Sequence, residues 1–248
     1  MSLQKQFAQD VTAARPGADV LWVASNDIAK AFQLSPENLW RAPANLDSRP
    51  ARLQPILKRL LDLAIALPAL VILSPLLALL ALIVRLDAGG PVFFRQTRLG
   101  QGGRPFDIFK FRTMTVMENG DTVIQATQDD CRVTRSGKWL RATSLDELPQ
   151  LLNVIAGDMS LVGPRPHARA HDRHYAGLIA NYTLRQTVKP GVTGWAQVNG
   201  HRGETPTVGT MRARVDFDIW YAKNAGLGLD LLILARTPFE VLRARNAH

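Results

Sequence analysis

Hydrophobic and polar positions along this chain follow different periods in different regions, and each period predicts a different element. Residues 63–84 form a run of 22 without a charge, with Lys58, Arg59 and Asp62 before it and Arg85 after it. As a straight helix it would be about 33 Å long, enough to cross the hydrocarbon core of a bilayer. Ser74-Pro75 interrupts its middle, and Pro68 lies earlier in the run. Pro75 cannot donate to the carbonyl of Val71 and its ring crowds that carbonyl, so a kink is predicted there. The Ser74 hydroxyl is the candidate to fill the gap in the backbone bonding. Basic residues flank both ends, Arg52, Lys58 and Arg59 before the run and Arg85, Arg95, Arg98 and Arg104 after it. The positive-inside bias would place both flanks on the cytoplasmic face. A re-entrant hairpin over about residues 60–85, bending at Ser74 and Pro75, satisfies the kink and the charge together. A single span and a buried core helix are the alternatives.

After this run the period shortens to two. Pro91-Val92-Phe93-Phe94 and residues 106–112 read as strands around a turn at 100–103. Alternation along the second strand sets Phe109 and Phe111 on one face and Lys110 and Arg112 on the other, a paired cationic surface. The glycines of the turn lack dinucleotide-fingerprint spacing and no long helix follows, so a hairpin is expected. Residues 133–140 suggest a short amphipathic piece. Leu148, Leu151, Leu152 and Ile155 then mark a helix stopped by Gly157. Pro190-Gly191 predicts a turn, and residues 227–242 a helical stretch that Pro238 kinks or divides. The aromatic pair Trp220-Tyr221, with Arg243 and Arg245 beside apolar residues, suits a segment lying at a membrane interface. The fold class predicted is α+β: a re-entrant membrane hairpin carrying a small mixed α/β catalytic domain with interfacial amphipathic helices.

Composition narrows the function classes less than the pattern does. With 46% hydrophobic and 21% charged residues the 248-residue chain is not a disordered one. Residues 1–50 balance five basic against five acidic side chains, so the net +9 lies entirely in 51–248. A basic domain serves nucleic acid, anionic lipid or a phosphorylated substrate equally well. The lone Cys131 excludes an intrachain disulfide framework. Val20-Leu21-Trp22-Val23 is too short for a secretory signal, so the catalytic part is expected on the cytoplasmic side. Residues 1–50, with a short helix at 26–32 and a linker at 43–50, read as an N-terminal extension, and 51–248 as the catalytic domain.

Candidate chemistry gathers in four places. Ser144-Leu145-Asp146-Glu147 offers two adjacent carboxylates, and also the spacing of a capping box in which Glu147 merely serves the Ser144 N–H. Pro149 disturbs that capping register. Arg165 is held between Pro164 and Pro166, which restrict its backbone, and a guanidinium fixed so can fork onto a phosphate. Arg141 precedes the acid pair by five residues. In the loop 191–200, Trp195, Gln197 and Asn199 either surround a base or pack as a buried turn with Trp195 in the core. His167, His171 and His174 recur at helical spacing, but no cysteine or nearby glutamate completes a zinc set, and a polar helix face is expected.

Several of these stretches, taken in order, resemble the monotopic phosphoglycosyl transferases, the bacterial sugar transferase family. They are Lys58-Arg59-Leu60-Leu61-Asp62, Ser74-Pro75, Phe109-Lys110-Phe111-Arg112-Thr113-Met114 and Ser144-Leu145-Asp146-Glu147-Leu148-Pro149-Gln150-Leu151. Gly157-Asp158-Met159-Ser160-Leu161-Val162-Gly163-Pro164-Arg165-Pro166 and Lys189-Pro190-Gly191-Val192-Thr193-Gly194-Trp195-Ala196-Gln197-Val198-Asn199-Gly200 complete the series. The resemblance implies transfer of a sugar-1-phosphate from a UDP-sugar to undecaprenyl (polyprenyl) phosphate, with release of UMP, as the first membrane step of exopolysaccharide assembly. It implies Asp146 as the nucleophile of a covalent phosphosugar intermediate, with Glu147, Arg165 and Arg141 as catalytic partners. It also implies a magnesium ion held at Asp146 and Glu147, and substrate contacts from Lys110, Arg112, Trp195, Gln197 and Asn199. The expected partners are membrane lipid and downstream glycosyltransferases, not nucleic acid, at the cytoplasmic face of the inner membrane. The competing class is a membrane-anchored basic binding or scaffold protein without catalysis. The family's larger members carry several spanning helices before the catalytic part, and this chain departs from them there.

Overall fold

The computed structural model describes residues 54–115 and 130–242. The elements expected within residues 1–50 lie outside these. Helix α1 (Gln54–Ala88) contains both Pro68 and Pro75. It is the one described helix long and apolar enough to cross a membrane, with a mean hydropathy of 2.7. At its middle the Ser74 hydroxyl donates to the Val71 carbonyl at 2.8 Å. This is the carbonyl that Pro75 leaves without its N–H, so the side chain repairs the helix locally.

The two ends of α1 dock by different means on the same domain. At the first end the Lys58 ammonium donates to the Val162 carbonyl at 3.1 Å and to Asp230 Oδ2 at 2.7 Å. Arg59 donates to the carbonyls of Val154 and Ile155 at 2.5 and 2.7 Å. Asp62, 4% exposed, accepts from Ser160 Oγ and the Leu161 N–H, each at 2.9 Å. The Lys58 and Arg59 pair read in the sequence as a topogenic flank is therefore also a set of directional docking bonds. At the other end Leu80 and Val84 bury against Phe111 and Leu140. Between the two ends Val71 and Ile72 stay 71% and 74% exposed.

The hairpin forms as expected. Strand β1 (Phe93–Leu99) pairs antiparallel with β2 (Pro105–Phe111), the turn closing through Gly102 and Gly103 at φ 66° and 72°. Helix α2 (Arg135–Thr143) follows, capped by the Thr134 hydroxyl, which accepts from the Gly137 N–H. A 3₁₀ turn (Leu145–Glu147) leads into α3 (Gln150–Ala156), which ends at Gly157 with φ 95°. Asn153 stitches α3 to the edge of β2: its Nδ2 donates to the Asp107 carbonyl at 2.7 Å and its Oδ1 accepts from the Phe109 N–H at 2.9 Å.

Strand β3 (Ser160–Val162) pairs in parallel with β4 (Gly191–Thr193). The two backbones approach so closely beyond the pair that a Cβ on Gly191 would lie 2.0 Å from the Gly163 nitrogen. Short helices α4 (Arg169–Ala176) and α5 (Trp195–Val198) occupy regions read as loop or polar face. Helix α6 (Val208–Asn224) had no counterpart in the sequence reading. Its buried face carries Arg214 and Asp218 beside Met211, Val215 and Tyr221, and buried charges break the apolar period. Helix α7 (Leu227–Leu242) runs through Pro238 and leaves Leu231 and Phe239 53% and 66% exposed.

Candidate active site

Ser144 turns the chain in the left-handed region at φ 58°, ends α2, and delivers Asp146 and Glu147 into the 3₁₀ turn. The Ser144 side chain makes no capping bond there. Glu147 is committed elsewhere. Its Oε1 accepts from the Lys110 ammonium at 2.7 Å and from Arg165 Nη2, and its Oε2 accepts from Arg165 Nη1 at 2.9 Å. The capping-box alternative is thereby excluded. Asp146 is 7% exposed, and its carboxylate lies 4.0 Å from the Lys110 ammonium. Among the described residues it accepts no hydrogen bond.

The two adjacent acids are thus driven apart electrostatically. Burial pushes the Asp146 carboxyl up to about 6, against the pull of Lys110. Burial also acts on Glu147, but the Arg165 guanidinium and the Lys110 ammonium outweigh it and hold that carboxyl well below its ordinary range. Glu147 in return keeps Arg165 protonated more firmly than a free guanidinium. Pairs separated in this way divide roles between a permanently charged group and a proton-sensitive one.

Lys110 reaches the pair because it shares the inward face of β2 with Phe106 and Ile108. Arg112 lies one residue past the end of that strand, is 6% exposed, and does not join the acid pair among the described contacts. Arg165 stands after β3 on a backbone whose carbonyls are each held. The Gly191 N–H donates to Pro164 O at 3.0 Å, Arg185 Nη2 to Arg165 O at 2.5 Å, and Arg98 Nη1 to Pro166 O at 3.2 Å. Arg185 is itself paired with Asp218 at 2.7 Å. Arg185 and Asp218 were not singled out from sequence, and Arg98 entered only as part of the basic flank, since isolated charges carry no pattern until the fold assembles them. Arg141 donates to Met114 Sδ at 3.6 Å and acts electrostatically on Asp146. Arg202 lies within electrostatic reach of Glu147, Arg165 and Asp146.

The loop residues have defined places of their own. Trp195 is 7% exposed and stacks on Trp220 at 5.2 Å between ring centres. Asn199 donates to the Trp195 carbonyl at 2.7 Å, and Gln197 Nε2 to the Val192 carbonyl at 3.2 Å, leaving Gln197 Oε1 buried and without a partner among the described residues. His167 precedes α4 rather than sharing its face, and its Nδ1 bonds the Tyr182 hydroxyl at 2.6 Å. Among the described residues no cluster of three or more His, Cys, Asp or Glu is placed to hold a metal ion.

A mixed helix–strand domain on one long apolar helix, with a cation-clasped acid pair, is what the chain presents. It belongs to the bacterial sugar transferase family, whose model matches residues 53–244. It is 56% identical over 160 residues to the UDP-glucose:undecaprenyl-phosphate glucose-1-phosphate transferase of Escherichia coli (strain K12), covering 64% of this chain and 34% of that protein. The protein of the same name from Caulobacter vibrioides is 54% identical over 168 residues, covering 68% of this chain and 63% of the relative. The UDP-N-acetylgalactosamine-undecaprenyl-phosphate N-acetylgalactosaminephosphotransferase of Aeromonas hydrophila is 40% identical over 168 residues, covering 67% and 39%. The chain therefore spans between about a third and just under two thirds of the length of these relatives.

Proposed function

We propose that this chain transfers a sugar-1-phosphate from a UDP-sugar to undecaprenyl phosphate, with Asp146 as a transient covalent carrier. One observation carries the reading: of two adjacent acids, half-buried Glu147 is clasped by cations while buried Asp146 accepts no hydrogen bond among the described residues. A carboxylate left so is free to act as a nucleophile. A carboxylate oxygen of Asp146 attacks the β-phosphorus, the bond to the bridging oxygen breaks, and UMP leaves with that oxygen. An oxygen of the lipid phosphate then attacks the same phosphorus, the acyl–phosphate bond breaks, and the Asp146 carboxylate is regenerated. Lys110 and Arg165 stand where charge on the diphosphate needs compensation, and Glu147 holds both in place.

Asp146, the acid left open, would hold a magnesium ion that takes its other ligands from water and substrate phosphate, and the ion would neutralise diphosphate charge. Glu147, whose two oxygens already accept from Lys110 and Arg165, does not fit as a second ligand in this arrangement. The names of the relatives make UDP-glucose the first donor to try and UDP-N-acetylgalactosamine the second.

Both ends of α1 contact one domain, while Val71 and Ile72 at its middle are exposed. A domain on one side of a bilayer can bind both ends only if the helix returns to that side, which supports the re-entrant hairpin; the basic residues on both flanks would make that side the cytoplasmic face of the inner membrane. The product would enter exopolysaccharide assembly through downstream glycosyltransferases. Detergent-solubilised protein, given a donor labelled at the β-phosphate and magnesium, should retain label covalently. Asp146→Asn should not. Turnover through a direct donor–lipid ternary complex, with no adduct on the protein, would sink the mechanism.

A further inference from the structure

Arg112 is the buried cation that the acid pair leaves unused. It is 6% exposed, and among the described residues its Nε and Nη2 have no hydrogen-bond partner. A guanidinium taken out of water without an anion is among the costliest arrangements a folded domain can hold. Gly90, just beyond the end of α1, lies at φ +71°, and a Cβ there would come within 2.8 Å of Arg112 Nη1. Glycine thus permits the turn and keeps space beside the guanidinium. Arg85, exposed on the last turn of α1, donates from Nη1 to the Gly90 carbonyl. Two guanidinium groups therefore meet at one residue, at the end of the apolar helix. Leu79, Leu82 and Leu86, exposed by 54%, 54% and 76%, lie at the spacing of one helical face and lead toward the same end.

We propose that Arg112, Arg85 and the Gly90 turn form a site for a lipid phosphate monoester whose hydrocarbon chain lies along Leu79, Leu82 and Leu86. A dianionic monoester completes two guanidinium groups, where a diester would satisfy them half as well. Resting on the transfer reading above, the ligand is the phosphate of the polyprenyl acceptor. Lys110, two positions earlier, serves the donor side at Glu147. The strand β2 and the residue after it thereby divide the two substrates.

The half-reactions separate the roles. Full-length protein in nanodiscs is labelled with a β-phosphate-labelled UDP-sugar in the absence of acceptor, then chased with polyprenyl phosphate. Arg112→Gln should label to within about threefold of wild type, whereas discharge by the acceptor should slow by about 30-fold or more, with acceptor KM raised and Arg112→Lys partly restoring it. Equal loss in both half-reactions, or an unchanged acceptor KM, overturns the assignment. If Arg112→Gln does not fold, the Leu82→Ser, Leu86→Ser double variant takes its place, with the same expected split. Competition identifies the source: phosphatidate should slow discharge in wild type, and equal competition by inorganic phosphate or by phosphatidylglycerol overturns a lipid monoester site. A wild type that takes no label removes the transfer reading instead. Direct binding of polyprenyl phosphate to wild type and to Arg112→Gln then decides this proposal, and equal affinity ends it.

Discussion

Arg185, 3% exposed, donates from its guanidinium to the backbone carbonyl of Arg165 at 2.5 Å. The residue that clasps Glu147 is thus held from behind by a second arginine, which Asp218 neutralises in turn. A planar fork can bind a carboxylate and a carbonyl at once, which a lysine ammonium cannot do with the same geometry.

Asp218→Asn should disturb this support. It leaves the buried Arg185 charge with only Asp172, at 3.7 Å, to compensate it, a loss of about 3 kcal/mol by analogy with other buried pairs, measurable by thermal or urea unfolding. Adduct formation should slow by about tenfold or more, with donor KM changed less than kcat. A normal rate constant for adduct formation in the folded variant would show that Arg165 needs no such support.

Asp146→Asn should abolish covalent labelling and stabilise the fold. Burial raises the Asp146 carboxyl from its ordinary 3.8 to about 6, so ionising it at neutral pH works against folding. Because the native state binds the proton more tightly than the unfolded chain, wild-type stability falls as pH rises through this window. Measured in EDTA, the variant should gain about 1–3 kcal/mol above pH 6. The gain should vanish as pH drops to about 4. A variant less stable than wild type at pH 8 contradicts this.

Adduct formation requires the Asp146 carboxylate, so its rate should carry an acid limb at or below pH 6, since a magnesium ion on that carboxylate would draw it lower, and fall about tenfold per unit below the limb. Lys110 opposes the upward shift. Lys110→Met should therefore move the limb to higher pH while lowering the plateau, read from single-turnover rates at fixed magnesium. A limb that stays in place assigns it to another group.

Cysteines placed at Arg52 and Gln101, with Cys131 replaced, should both react with an impermeant thiol reagent only from the cytoplasmic side. Periplasmic reaction at either position makes α1 a true span. Ser74→Ala should destabilise the middle of α1 by about 1 kcal/mol, the worth of its bond to Val71.

Much of this molecule is legible along the chain because the signals are local. Apolar residues 63–84, the Ser74 bond that fills the gap left by Pro75, the β1–β2 hairpin, the stop at Gly157 and the helix over 227–242 each follow from spacing within one element. Asp146, Glu147 and Arg165 stood out by adjacency or by proline flanks. Helix α6 escaped because its inward face pairs Asp218 and Arg214 with partners far away in sequence, which no period reveals. The pairing of Lys110 with Arg112 was half the story: alternation brought Lys110 to the acids, but β2 ends at Phe111 and Arg112 is not among their described contacts.

Sequence by itself determined the chemical kinds present, an acid pair beside a rigid arginine and an interrupted apolar helix, since those depend on covalent neighbours. Tertiary structure alone decided which acid is clasped and which is left open. That choice arises where a lysine from β2 and an arginine after β3 converge on one carboxylate, and Coulomb attraction acts through space rather than along the chain.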